Sequence, residues 1–178
     1  MTKTIQLRDE MRIIEDFPKA GISYKDITPI LQKKEVFQAA IHQLQEALAG
    51  VDYDYIVGIE ARGFIMGAAL AYAEGKGFLM CRKEGKLPGR TVSYSYDLEY
   101  GQATVEMDQD SVPAGARLVI LDDLLATGGT AAACAHLIEH AGGRVALALF
   151  ITELTGLEGR QKLEELGISV RSLITWPF

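Results

Sequence analysis

The sequence predicts an α/β fold in which a mostly parallel central sheet is flanked by helices. Three observations predict it. Short apolar runs alternate along the chain with stretches of helical periodicity. The run Leu118, Val119, Ile120, Leu121 is continuously apolar rather than alternating, as in a strand buried on both faces of a parallel sheet. Two such runs, closing near Glu60 and at Asp122, turn through glycines directly into helical segments. With 178 residues and 48% hydrophobic content, the chain can build one core, and a single domain over 1–178 is expected.

The elements follow in order. Residues 3–15 read as a polar, loosely amphipathic helix touching the rest through Ile5, Met11 and Ile14, and Pro18 stops it. Residues 17–31 contain Pro18, Gly21 and Pro29, which exclude a long helix, yet their apolar residues imply packing; an ordered cover is expected. Phe37, Ile41, Leu44 and Leu48 recur at helical spacing in residues 34–49. Residues 55–60 predict a strand, and 61–72 a turn entering an apolar helix. A short strand is expected at 77–81, whereas 82–90, with two glycines and a proline, is expected to form no regular element. Residues 91–98 and 102–107 alternate as two strands of a hairpin. The central strand at 117–123 leads into a helix at 129–142, a buried strand at 144–151, a charged helix at 157–166 and a last strand at 168–174.

Composition excludes several roles. A formal charge of −6 argues against a general nucleic-acid or membrane surface, so an anionic ligand must meet local positive groups. The amino-terminal stretch lacks the apolar core of a signal peptide, and no apolar run nears the ~18 residues of a membrane span, so a cytoplasmic protein is expected. Cys81 and Cys134 are too few for a disulfide framework and read as small buried hydrophobes. His136-Leu-Ile-Glu-His140 matches an inverted zinc-protease pattern. At about 100° per residue, however, Cys134, Leu137, Ile138 and Ala141 share one side of that helix and His136, Glu139 and His140 the other. The apolar side must face the sheet, which turns the histidines towards solvent or a subunit interface.

The chemistry concentrates at strand ends. Asp122 and Asp123 close the central strand, at the edge where open α/β sheets bind ligands, and paired carboxylates there suit vicinal hydroxyls or a cation. Ala126, Thr127, Gly128, Gly129 and Thr130 follow as a turn into a helix, whose free N–H groups and positive dipole end suit a phosphate. No Gly-Lys-Ser/Thr follows, so this is not a nucleotide P-loop. Acids and turn together read as a grip for a ribose phosphate. Glu60, Ala61, Arg62 and Gly63 repeat the strand-turn-helix logic, and Arg62 can fork onto phosphate oxygens. Two anion-friendly turns in one sheet favour a diphosphorylated ligand. Arg82, Lys83, Lys86 and Arg90 form a local positive patch suited to a lid, and Glu99 and Tyr100 stand at the hairpin turn.

These blocks, Glu60-Ala-Arg-Gly-Phe, Arg82-Lys-Glu-Gly-Lys-Leu-Pro-Gly, Tyr96-Asp-Leu-Glu-Tyr-Gly and Val119-Ile-Leu-Asp-Asp-Leu-Leu-Ala-Thr-Gly-Gly-Thr, together resemble the adenine phosphoribosyltransferase family of type I phosphoribosyltransferases. The resemblance runs over nearly the whole chain. It implies the type I phosphoribosyltransferase fold, with an N-terminal arm and hood over about 1–32 and a lid loop and β-hairpin over about 82–108. It also implies a reaction: adenine and phosphoribosyl pyrophosphate give AMP and pyrophosphate, with Mg²⁺ held mainly by substrate and water. By the same resemblance Asp122 and Asp123 meet the ribose hydroxyls, and Ala126 to Thr130 cradle the 5′-phosphate. Glu60, Ala61 and Arg62, at a turn where the family commonly has a cis peptide, meet the pyrophosphate together with Arg82, Lys83, Lys86 and Tyr100. Glu99 handles a proton at the base. Ser23, Tyr24, Lys25 and Leu154 surround adenine, with lysine at 25 where many members carry arginine. A homodimer is the implied assembly, with Arg82 a candidate to reach the neighbouring site. A transferase for another purine, and a non-catalytic sensor of phosphoribosyl pyrophosphate, are the alternatives.

Overall fold

In the computed structural model, which describes residues 5–97 and 101–178, the chain opens with one helical turn, α1 (Leu7–Glu10), and then β1 (Arg12–Ile14). This corrects the helix expected over 3–15. Arg12 is drawn instead onto Asp26, with Nε 3.0 Å from its carboxylate, and β1 pairs antiparallel with β2 (Tyr24–Asp26). A tertiary partner outweighs a weak local preference. Asp26 is buried and also accepts from the Thr28 amide at 2.9 Å and hydroxyl at 2.6 Å, so one carboxylate ties the arm to the cover segment. α2 (Thr28–Gln32) begins there, with Pro29 in the first turn, where no amide hydrogen is required.

α3 (Lys34–Ala47) buries Val36, Ala40, Ile41 and Leu44 on one face. β3 (Tyr55–Ile59), α4 (Arg62–Glu74), β4 (Gly77–Lys83), β5 (Thr91–Asp97) and β6 (Gln102–Asp108) follow. β7 (Arg117–Leu125), α5 (Gly129–His140), β8 (Arg144–Thr155), α6 (Gly159–Glu165) and β9 (Val170–Pro177) complete the chain. The main sheet has seven strands in the order β5-β6-β4-β3-β7-β8-β9. Neighbours from β4 to β9 are parallel, while β6 and β5 are added antiparallel.

Two expectations change here. Residues 82–90 do contain regular structure, because β4 runs on through Arg82 and Lys83, which pair with Glu106 and Val105. Their backbone groups find ladder partners on β6 that the sequence alone could not supply. The hairpin consequently forms the edge of the main sheet. β7 also continues past both acids to Leu125, so the carboxylates stand within its last turn of pairing to β8.

β7 explains its own composition. Leu118 and Ile120 enter a core with Val57, Phe150, Ile138 and Leu163 beneath α5 and α6. Val119 and Leu121 enter the opposite core with Ile56, Leu149, Leu44 and Met66 beneath α3 and α4. Each such buried side chain contributes about 1.5–3 kcal/mol relative to exposure. Cys81 and Cys134 are free and buried in the first of these cores, as expected. His140 is exposed, but His136 is half-covered, stacked on Tyr94 of β5 with ring centroids 4.7 Å apart. Among the described residues no group of three or more metal-ligating side chains occurs, and no helix is long and apolar enough to cross a membrane.

Candidate active site

The carboxyl ends of β3, β4 and β7 converge on one region. There, among the described residues, Asp122 alone lines all three of the adjoining cavities, of about 380, 290 and 90 Å³. The smallest is lined by the turn Ala126, Thr127, Gly128, Gly129 and Thr130. Gly128 takes φ +75° as the N-cap of α5, a left-handed conformation that favours glycine. The amides of Gly129, Thr130 and Ala131 in the first turn of a 12-residue helix have no acceptor within it, and the dipole adds to their pull on an anion. From behind, Gly159 at the start of α6 packs backbone to backbone on this turn: a Cβ there would stand 2.1 Å from the Ala126 carbonyl oxygen. In front, the Tyr96 hydroxyl of β5 lies 2.8 Å from the Thr130 hydroxyl.

The paired acids differ. Asp123 is buried and accepts from Arg62 Nε at the start of α4. Asp122 Oδ1 accepts the Asp123 amide at 2.8 Å. Burial first, and the adjacent Asp123 charge second, hold the Asp122 carboxyl well above the ordinary carboxylate range. The α4 turn sits close because residue 63 is glycine: a Cβ there would meet the Leu121 carbonyl at 2.6 Å. The Glu60–Ala61 peptide before it is cis, in line with the resemblance.

Glu60, Ala61, Arg62, Lys83, Asp122 and Asp123 line the 290 Å³ cavity. Arg82 does not project as a free lid cation; its Nε and terminal nitrogen reach both Glu60 oxygens at 3.1 and 3.2 Å, and another nitrogen donates to the Lys86 carbonyl at 2.8 Å. That hydrogen-bonded guanidinium is the main cause holding the Glu60 carboxyl below its usual value. Arg90 pairs with Asp110 at 2.8 Å. Lys83 lines this cavity, and Lys83 and Lys86 are both exposed. The loop that carries Lys86 is held by Glu106, a buried carboxylate accepting from the Lys86 and Leu87 amides at 2.9 and 2.8 Å. Burial alone would raise Glu106, but these amides outweigh it and keep the carboxyl lowered.

The cover segment reaches the same region. Tyr24 stands with its ring 5.7 Å from the Arg62 guanidinium and edge-on to Phe17 at 5.2 Å. Lys25 Nζ donates to Ser23 Oγ at 2.7 Å and lies 5.0 Å from the Trp176 ring. Trp176 pairs across the sheet with Leu154, so the hood and the β8–β9 end meet through Lys25. Its ammonium is thereby engaged on the hood itself.

A family model for the phosphoribosyl transferase domain matches residues 23–177. The chain is 51% identical over 172 residues to the adenine phosphoribosyltransferase of Alkaliphilus metalliredigens, covering 97% of this chain and all of that one. The chain belongs to the adenine phosphoribosyltransferase family. The crystal structure of adenine phosphoribosyltransferase from Thermoanaerobacter pseudethanolicus superposes with a TM-score of 0.93 at 50% identity, covering 96% of this chain and 98% of that one. The Saccharomyces cerevisiae adenine phosphoribosyltransferase, solved with an imino-altritol bisphosphate and adenine, gives 0.87 at 40% identity, over 94% of this chain and 96% of that one.

For a member of this family, the structure brings together Glu60, Ala61, Arg62, Lys83, Asp122, Asp123 and the 126–130 turn around shared cavities, sets Ser23, Tyr24 and Lys25 on the hood, and leaves Leu154 on β8 beside Trp176. Glu99 and Tyr100 lie outside the described residues. The sequence reading missed Tyr96, Glu106, Gly159 and Trp176. A lone acid between Val105 and Met107 in a predicted strand was the available signal for Glu106. Gly159 offered none, since its importance is a distance to a turn thirty residues away.

Proposed function

We propose that the chain transfers the 5-phosphoribosyl group from phosphoribosyl pyrophosphate to adenine, giving AMP and pyrophosphate in purine salvage. The observation that carries the reading is Asp122 at the junction of three cavities, with a phosphate turn on one side and the Arg62 turn on the other. A sugar carrying groups at both ends fits that layout. Asp122 and Asp123 accept from the ribose hydroxyls, the 126–130 turn holds the 5′-phosphate, and Glu60, Ala61, Arg62, Lys83 and Lys86 surround the pyrophosphate. Arg62 keeps Nε on Asp123 and presents its terminal nitrogens to the leaving group. Arg82 acts through Glu60, fixing that turn, and Tyr100 closes over the site.

In the reaction the bond from the anomeric carbon to the pyrophosphate oxygen breaks and a bond to an adenine ring nitrogen forms. Charge accumulates on the departing oxygens and on the ring, where the ring oxygen shares it as in glycoside chemistry. Arg62 and the exposed lysines stabilise the departing anion. The two carboxylates suit Mg²⁺ as a cation carried mainly on substrate oxygens and water rather than in a protein cage. When bound, that ion neutralises pyrophosphate charge. Tyr24 stacks on adenine, main-chain groups of Ser23 and Lys25 read its edge, Leu154 forms the opposite wall, and Glu99 takes the proton from the attacking base. The chain acts as one phosphoribosyltransferase domain in a cytoplasmic homodimer. Assays of nucleotide formation with adenine, hypoxanthine, guanine and xanthine in parallel test the proposal. Adenine is expected to dominate, and preference for a 6-oxopurine overturns the assignment of substrate.

A further inference from the structure

We infer that Tyr96 is a positioning residue for the sugar-phosphate substrate: its hydroxyl sets the rotor of Thr130 so that Thr130 donates to the 5′-phosphate. The inference rests on reading the 126–130 turn as the phosphate site. The two hydroxyl oxygens are 2.8 Å apart, and either can donate to the other when no anion is near. A phosphate removes that ambiguity. It is purely an acceptor for this contact, so Thr130 must turn its hydrogen towards the anion, and the bond to Tyr96 survives only if Tyr96 is the donor. Tyr96 O–H to Thr130 O–H to phosphate is then a two-bond chain in which each member polarises the next.

The surroundings support this geometry. Thr130 lines both the 90 Å³ turn cavity and the 380 Å³ cavity, and Tyr96 lines the latter, so the pair stands on the wall between them. The Tyr96 ring also rests on Gly129, where a Cβ would approach it to 3.1 Å, which fixes the phenol over the turn. Tyr96 belongs to β5, whose full pairing with β6 and, through it, β4 anchors the phenol to the main sheet. Phosphate binding is thereby linked to the position of the hairpin that leads to Glu99.

The test is calorimetric titration with AMP of the intact protein and of Tyr96→Phe, Thr130→Val and the double variant, with thermal melts as the check on folding. Loss of one neutral hydrogen bond in the chain corresponds to about three- to tenfold weaker AMP binding for Tyr96→Phe. In the Thr130→Val background the same change is expected to weaken binding less than twofold, because the chain is already cut. Thr130→Ser keeps the hydroxyl and is expected to keep the Tyr96 effect. Steady-state KM should rise for phosphoribosyl pyrophosphate and stay unchanged for adenine. Equal effects of Tyr96→Phe in both backgrounds, or none in either, overturn the relay while leaving the phosphate site standing. An intact protein that neither binds AMP nor makes it from adenine overturns both readings.

Discussion

Gly159→Ala is the substitution the fold predicts to be most selective in its damage. The new Cβ would lie 2.1 Å from the Ala126 carbonyl oxygen and 2.9 Å from the Gly128 nitrogen, against an ordinary contact of 3.4–4 Å. The turn or α6 must therefore yield by more than 1 Å, and both neighbours are backbone with no rotamer to move. Gly128 meets the same constraint from its side, since a Cβ on it would stand 2.7 Å from the Gly159 oxygen. Overpacking of this kind costs about 1–3 kcal/mol, and backbone on both sides points to the upper end. At ~2–4 °C per kcal/mol for a chain of this size, Tm should fall by about 6–12 °C. A shift of ~1 Å in the turn's amides can also cost on the order of 100-fold in use of the sugar phosphate. Thermal melting and initial rates at saturating adenine with phosphoribosyl pyrophosphate varied are the assays. Gly75→Ala is the control, because Gly75 has φ +63° and nothing within 4 Å of its Cβ position: it should lose stability without a substrate effect. A Gly159→Ala protein with unaltered Tm and unaltered KM for phosphoribosyl pyrophosphate would refute the reasoning.

Three further outcomes are expected. Asp122→Asn should cut turnover severely while raising Tm by ~2–4 °C per kcal/mol of relieved repulsion and burial, measured by rates and melting on one preparation. Glu106→Gln keeps an acceptor but loses its charge; a Tm lower by a few degrees and faster tryptic cleavage at Lys86 should follow, and unchanged cleavage would separate Glu106 from the loop. The pH dependence has a definite sign: the lowered carboxyls of Asp26, Glu60, Glu106 and Glu153 bind fewer protons folded than unfolded, so their stabilisation is present above the ordinary carboxylate range and disappears as pH falls through their folded values. Asp122 contributes oppositely, its raised carboxyl making stability fall as pH rises from the unfolded value towards the folded one. Melting from pH 7 down to pH 3 should show the acid loss, and Glu106→Gln should flatten it.

Much of the fold was legible in local pattern. β7 is apolar at every position from Leu118 to Leu121 because it feeds two cores, and continuous hydrophobicity is the direct consequence of burial on both faces. The arm was misread because helical spacing of three apolar residues is a weak signal, and Asp26 supplied Arg12 with a partner that only folding brings near. Arg82 looked like one of four free lid cations; pairing of β4 with β6 and the bidentate contact to Glu60 make it part of the wall.

The sequence by itself determined the chemistry's components: two acids at a strand end, glycines that permit a helix-capping turn, and an arginine at a second such turn. Those are local requirements, set by backbone conformation and side-chain type, and neighbouring residues suffice to display them. Only the tertiary structure decided that Asp122 joins three cavities, that Gly159 backs the phosphate turn, and that Tyr96 reaches Thr130 across 34 positions. The reason is physical: these are close approaches between distant segments, and a distance of that kind exists only once the sheet has fixed where each strand ends.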